Sequence, residues 1–404
     1  MASLIYPHLF CFSYHRPPDV MPPSWTDWKQ AHPGQITESQ SSEFPSYDYV
    51  GKDWDAIFEV KPLGDSQGLL LYGAVREEKK PQSMAVLEQL KQHLGAIQGS
   101  IGQTWLVLSQ WQDDHPGESQ ESGLDRAFQE IAKLWKVQKW DSEGVFLGNV
   151  LRSAVLANGE YLWVCLAKNS QTMEAVVKLK YELQRLFYYQ HKVRWSYEQG
   201  GKVKQILSQE TFFPLTEEVI PVSQIDLTES TALKGDFSQL RQVLYDNMQK
   251  LDRHTRGIEG LSLQLQTLKT NLRAYEKRSQ RLEKLCADYP FKTDVQHWSD
   301  FAEKQAVDYQ EKIQQYIESL SPGLRVREQH IKTLQVLVAA AQGERDRNIE
   351  NLVGGAGLGI GVSSAAAGSW AGQTSGPWQT FGVSLGLGVL FGVGSYLLLR
   401  YFRK

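Results

Sequence analysis

The sequence predicts three parts: an α/β N-terminal domain, a long antiparallel helical coiled-coil stalk and a C-terminal two-helix transmembrane hairpin. Three observations carry this reading. Apolar runs of strand length alternate with helical patterns over residues 1–215. An apolar spacing of three and four runs without a proline from Phe237 to Cys286. Two uncharged stretches, Leu352–Trp370 and Phe381–Leu399, each have the length of about 20 helical residues that a bilayer core requires.

Composition sets the outer bounds. The chain has 404 residues, room for two or three domains, and 41% hydrophobic content, enough for a real core. Its net charge of −3 lacks the basic excess of a nucleic-acid binder. Cys11, Cys165 and Cys286 are far apart and odd in number, so neither a disulfide framework nor a cysteine-rich zinc module is expected. Met1–His15 lacks the basic start and small-residue cleavage site of a signal peptide.

In the 1–215 domain the runs Leu4–Tyr14, Trp54–Val60, Leu69–Val75, Trp105–Trp111 and Tyr161–Ala167 read as strands. Met84–Ile97, Leu124–Val137 and Met173–Tyr189 read as helices. Residues 16–51, rich in proline and serine, read as a surface insertion, and Asp113–Ser122 as a second polar loop. The carboxylates around Asp113 and Asp114 match no EF-hand spacing and read as a solvated acidic loop. Nine tryptophans precede residue 200, among them Trp105, Trp135 and Trp163. They serve as packing residues or as the lining of a ligand site. Residues 216–233, acidic and without a basic residue before Lys234, read as a linker.

Residues 234–350 read as a stalk of three helices. Leu251, Ile258, Leu265 and Leu272 mark its coiled-coil seam, with Asn247 and His254 as polar members that can set register. Asp288-Tyr289-Pro290 separates the first helix from a second, Val295–Leu320. Ser321-Pro322-Gly323 separates that from a third, which begins near Leu324 and leads into the membrane. Phe237–Cys286 carries a net charge of +5 and Tyr289–Leu352 of −2, a pattern of solvated, mutually attractive faces.

Residues 351–404 read as the hairpin with a basic tail. Glycines four apart, Gly355 and Gly359 in one span and Gly382 and Gly386 in the other, put small residues on one face, for packing within the hairpin or between subunits. Arg345 and Arg347 precede the spans and Arg400, Arg403 and Lys404 follow them, so both termini are placed in the cytoplasm of a two-pass membrane protein.

Catalytic and cofactor motifs are absent from the sequence. It has no GxxxxGK[ST], no HExxH and no GxGxxG after a strand. The GxSxG string Gly382–Gly386 falls inside a span rather than at a strand-to-helix turn. No catalytic residue, metal ligand or cofactor is therefore assigned, and the chain is not read as an enzyme.

The order of α/β domain, long helices, a helix entering the first span, short loop, second span and basic tail resembles the CorA-like family of two-span divalent-cation channels. That family carries a Tyr-Gly-Met-Asn signature in the loop, whereas this loop reads Ala371-Gly372-Gln373-Thr374-Ser375-Gly376-Pro377-Trp378. No filter residue carries over. The resemblance implies a ring-shaped homo-oligomer with a cytoplasmic body. The expectation is a lipid-embedded homo-oligomer that forms or gates an ion pore, with Gln373, Thr374 and Ser375 at its mouth. The alternative is a non-conducting anchored scaffold or signalling protein whose N-terminal domain binds a cytoplasmic protein partner or a ligand.

Overall fold

Alternation along the central strands organises the molecule. A computed structural model describes residues 3–16, 30, 36–38, 46–76, 80–94, 98–112, 120–211, 233–294 and 296–341. Strand β1 (Ser3–His15) sends Phe10, Phe12 and Tyr14 to one face and Leu9 and Cys11 to the other. Strand β7 (Gly102–Gln112) divides in the same way, with Leu106 and Leu108 opposite Trp105 and Val107. So does β10 (Tyr161–Ala167), with Trp163 and Cys165 opposite Leu162 and Val164. Successive side chains on a strand point to opposite faces, so an unbroken apolar run is a strand buried on both sides.

Seven further strands complete a mixed sheet of ten: β2 (Ile36–Glu38), β3 (Ser46–Val50), β4 (Trp54–Leu63), β5 (Ser66–Val75), β6 (Pro81–Gln82), β8 (Ser142–Phe146) and β9 (Asn149–Val155). The order is β2-β3-β4-β5-β1-β7-β10-β9-β8, with β6 paired to the start of β1. Among the described residues only β7 and β10 run parallel, Tyr161 opposite Thr104 and Ala167 opposite Gln110. The region read as a proline-rich insertion thus supplies two strands at one edge of the sheet.

One face is covered by α1 (Ala85–Leu94) and α2 (Gln120–Trp135), through Leu87, Leu90, Phe128 and Ile131. The other is covered by α3 (Ser170–Lys178) and α4 (Lys180–Thr211), with Met173, Leu183 and Phe187 at the interface. Part of α5 (Leu233–Ala287) lies in that same cluster, through Leu265, Leu268, Leu272 and Tyr275. So do Trp298 of α6 (Gln296–Asp300), Phe301 of a π-helical turn (Phe301–Gln305) and Ile313 of α7 (Ala306–Ala341). The connection between α5 and α6 is tied to the β8–β9 hairpin. Gly148 N–H donates to the Lys292 carbonyl at 2.7 Å and Asp294 N–H to the Val145 carbonyl at 2.6 Å.

The chain forms two compact units, Met1–Ile206 with Ile258–Ser319, and Leu207–Gly257 with Leu320–Lys404. In the second, Leu244, Leu251, Ile331, Leu334 and Val338 form a small cluster of their own. His254 is buried there with Nε2 3.0 Å from the Leu320 carbonyl.

Several expectations are corrected. The three-part architecture of domain, detached coiled-coil stalk and membrane hairpin does not describe this fold. The spacing at Leu265 and Leu272 does mark a helix with one apolar stripe, but that stripe belongs to the same apolar cluster as the sheet's inner face rather than to a separate stalk. A three-four repeat reports the face, not what covers it. Of the other seam residues, Leu251 is buried in the second unit and Ile258 is half-buried. The break at Ser321-Pro322-Gly323 is absent, because α7 continues through Pro322. Proline's fixed φ is compatible with a helix; its cost is one lost hydrogen bond and a local clash. Buried Leu320, Ile331 and Leu334 hold the helix on both sides.

No helix among the described residues is long and apolar enough to cross a membrane. The reading as a two-pass membrane pore with cytoplasmic termini is therefore withdrawn. The stretches behind it, with Gly355, Gly359, Gln373, Thr374, Ser375, Gly382 and Gly386, lie outside the described residues, as does most of the 216–233 linker.

Candidate functional site

The parallel pair β7 and β10 begins beside a cleft of about 660 Å³, within the range of small-molecule sites. It lies at the N-terminal ends of these strands, opposite to the usual site of doubly wound sheets. Strand β7 contributes Gln103 and Trp105, α1 contributes Glu88 and Lys91, and the end of α2 contributes Trp135 and Lys136. The β9–β10 turn supplies Asn158 and Glu160. That turn is closed by Leu156 N–H to the Glu160 carbonyl and Gly159 N–H to the Leu156 carbonyl, both at 2.8 Å, with Gly159 at φ +85°.

The end of α2 is shaped by a Schellman pair. Val137 N–H donates to the Ala132 carbonyl at 2.8 Å and Lys136 N–H to the Lys133 carbonyl at 3.2 Å. The pair requires a left-handed residue, and Lys136 takes it at φ 55° where glycine is usual. Lys91 Nζ donates to the Leu134 carbonyl at 3.0 Å, satisfying an orphan group of the last turn, and lies 4.8 Å from the centre of the Trp135 ring. Burial lowers the Lys91 pKa, partly countered by Glu160.

Two tryptophans form the apolar wall. Trp105 and Trp135 meet edge to face, with centroids 6.2 Å apart. Trp105 Nε1 donates to Glu160 Oε2 at 2.8 Å. Two buried groups in these walls are unsatisfied: Gln103 Oε1, an acceptor, and Trp135 Nε1, a donor, have no hydrogen-bond partner in the protein. Gln103 is 2% exposed and Trp135 4%. Leaving such a group buried and unpaired costs about 1–3 kcal/mol, so each needs an explanation.

An adjoining cavity of about 260 Å³ shares Gln103, Asn158 and Glu160 and is lined on its far side by α4, through His191, Arg194 and Glu198. Arg194 donates to the Gly159 carbonyl at 2.6 Å and to Glu198 at 2.9 Å, fixing the turn to the helix. His191 is buried between Tyr14 and Tyr161, with Nε2 2.9 Å from Thr104 Oγ1. Burial, with the Arg194 charge in support, lowers its pKa to about 3. It is therefore neutral over the physiological range. Gly102 lies directly against its ring, where a Cβ would overlap Nδ1.

Across both cavities Lys91, Lys136 and Arg194 balance Glu88, Glu160 and Glu198. Such walls suit a neutral or zwitterionic guest rather than a strong anion or cation. No cluster of metal-ligating side chains occurs among the described residues. All three cysteines are buried, and burial raises each thiol's pKa.

Of the tryptophans raised from the sequence, Trp105 and Trp135 line this cleft, while Trp163 lies on the opposite face. Gln103, Lys91 and Glu160 had no sequence signal, because their roles depend on three elements meeting. No family model matches the chain, and no curated protein matches it in sequence.

Proposed function

We propose that the sheet-containing unit is a non-catalytic binding module for a small, planar, polar ligand held in the cleft at the start of β7 and β10. One observation carries this reading: two residues that line a cleft of about 660 Å³ each hold a buried polar atom without a partner, the acceptor Gln103 Oε1 and the donor Trp135 Nε1. A ligand offering a donor to one and an acceptor to the other removes both penalties. An amide or a nucleobase edge has that pattern, and Trp105 and Trp135 contribute apolar lining to the cleft.

The same walls support binding over catalysis. General acid–base chemistry is most effective with a pKa near the working pH. His191 is far below it, and Lys91 is committed to a helix carbonyl.

Isothermal titration calorimetry with benzamide and with adenosine tests the reading on the full chain. Saturable binding of at least one probe is expected, weakened about tenfold by Gln103→Met and by Trp135→Phe. No saturable heat with either probe, or an affinity unchanged in both variants, contradicts it.

A further inference from the structure

A separate cavity, of about 280 Å³, opens where α6, the π-helical turn and β9–β10 meet. Its lining includes five aromatic side chains: Tyr161 and Trp163 from β10, Tyr275 from α5, Trp298 from α6 and Phe301 from the π-helical turn. All five are at least nine-tenths buried. The Trp163 and Trp298 rings are nearly parallel, at 11°, with centroids 6.2 Å apart. Tyr275 donates to the Trp298 carbonyl at 3.2 Å, and its ring meets Phe301 at 4.9 Å, so the box is braced.

Two carboxylates share the lining with Ser142, Ser153, Gln190, Lys304 and Gln305. Asp141, which is exposed, accepts from Val155 N–H at 2.7 Å, and Asp300 pairs with Lys304 Nζ at 2.7 Å. Two carboxylates against one ammonium leave the cavity with a negative excess. Aromatic faces carry negative quadrupole charge, so both parts of the lining favour a cation.

The π-helical turn is a second, independent pointer. Such turns are rare and fall frequently at functional sites. Here it supplies Phe301, Lys304 and Gln305 to the cavity.

We infer that this cavity binds an organic cation of the quaternary or methylated ammonium class, with the aromatic box around the methyl groups and Asp141 as counter-charge. A methylated ammonium is weakly hydrated and cannot use many hydrogen bonds. It therefore gains from an aromatic box where a bare metal ion or a primary ammonium gains less. This site is separate from the cleft at the start of β7, and its ligand is of a different chemical class.

The test is calorimetric titration of the full chain with choline and with 3,3-dimethyl-1-butanol, its uncharged isostere. Choline is expected to bind with a dissociation constant below about 10 mM, and about tenfold more tightly than the isostere. Asp141→Asn keeps an acceptor for Val155 and removes the charge, and is expected to weaken choline about threefold to tenfold while leaving the isostere unchanged. Trp298→Phe, checked for cooperative unfolding, is expected to weaken choline by a similar factor. Equal affinity for the two probes, or no saturable choline binding by the parent protein, overturns the inference. So does an Asp141→Asn variant that is folded and binds choline as the parent does.

Discussion

Gly102 has no side chain because the His191 ring occupies the space one would need. Gly102→Ala is therefore expected to destabilise the protein by about 1–3 kcal/mol, measured by urea unfolding. Lys136 presents the opposite case, a side chain kept where the backbone would favour none, at φ 55°. Lys136→Gly is expected to stabilise by about 1 kcal/mol and to remove one cation from the cleft. Two histidines make a pH-dependent contribution. Burial lowers both His8 and His191 to about 3, below the ordinary 6.5. Between these values the unfolded chain binds protons that the folded one does not, so stability falls as pH drops through this window. Each histidine contributes a slope of up to about 1.4 kcal/mol per pH unit. Unfolding midpoints measured from neutral pH to pH about 4 are expected to decline, and His8→Phe is expected to flatten the decline.

Helix α5 separates what its sequence can say from what it cannot. Its heptad spacing was legible because a helix must turn one stripe of Leu251, Leu265 and Leu272 to an apolar neighbour. The neighbour was not legible. Leu265, Leu268 and Leu272 belong to the same apolar cluster as Phe12, Trp163 and Phe187, and nothing in local periodicity distinguishes that setting from a separate helix pair. The central strands were legible for a related reason: runs such as Tyr161–Ala167 are apolar at every position because both faces are covered. Strands β2, β3, β8 and β9 are short or polar and carried no such signal. Gln103 was invisible for another reason, since its unsatisfied oxygen exists only once β7, α2 and the β9–β10 turn converge. Leu268→Ala is expected to cost about 2–5 kcal/mol and to shift the sheet's tryptophan signal and the helical signal together. Separate transitions, with the sheet signal unmoved, would show α5 packing elsewhere.

At the level of the whole chain, the first compact unit is discontinuous, built from Met1–Ile206 and Ile258–Ser319. Its second segment covers one face of the sheet through Leu265, Tyr275, Trp298 and Phe301. A fragment ending at Thr211 leaves Phe187 and Trp163 without these neighbours, and is expected to lose cooperative unfolding and to aggregate. A fragment that ends there and unfolds as sharply as the full chain would contradict the shared core.

The central claim is that the cleft at the start of β7 keeps polar groups unsatisfied for a ligand, and its most direct test is the stability of one variant. Gln103→Met removes a buried acceptor that has no partner and fills nearly the same volume. Urea unfolding near neutral pH is expected to show Gln103→Met more stable than the parent protein by about 1 kcal/mol, with benzamide or adenosine binding weakened about tenfold. A loss of stability of about 1 kcal/mol or more would mean that this oxygen is already paired inside the folded protein, and would contradict the assignment of the cleft as a ligand site.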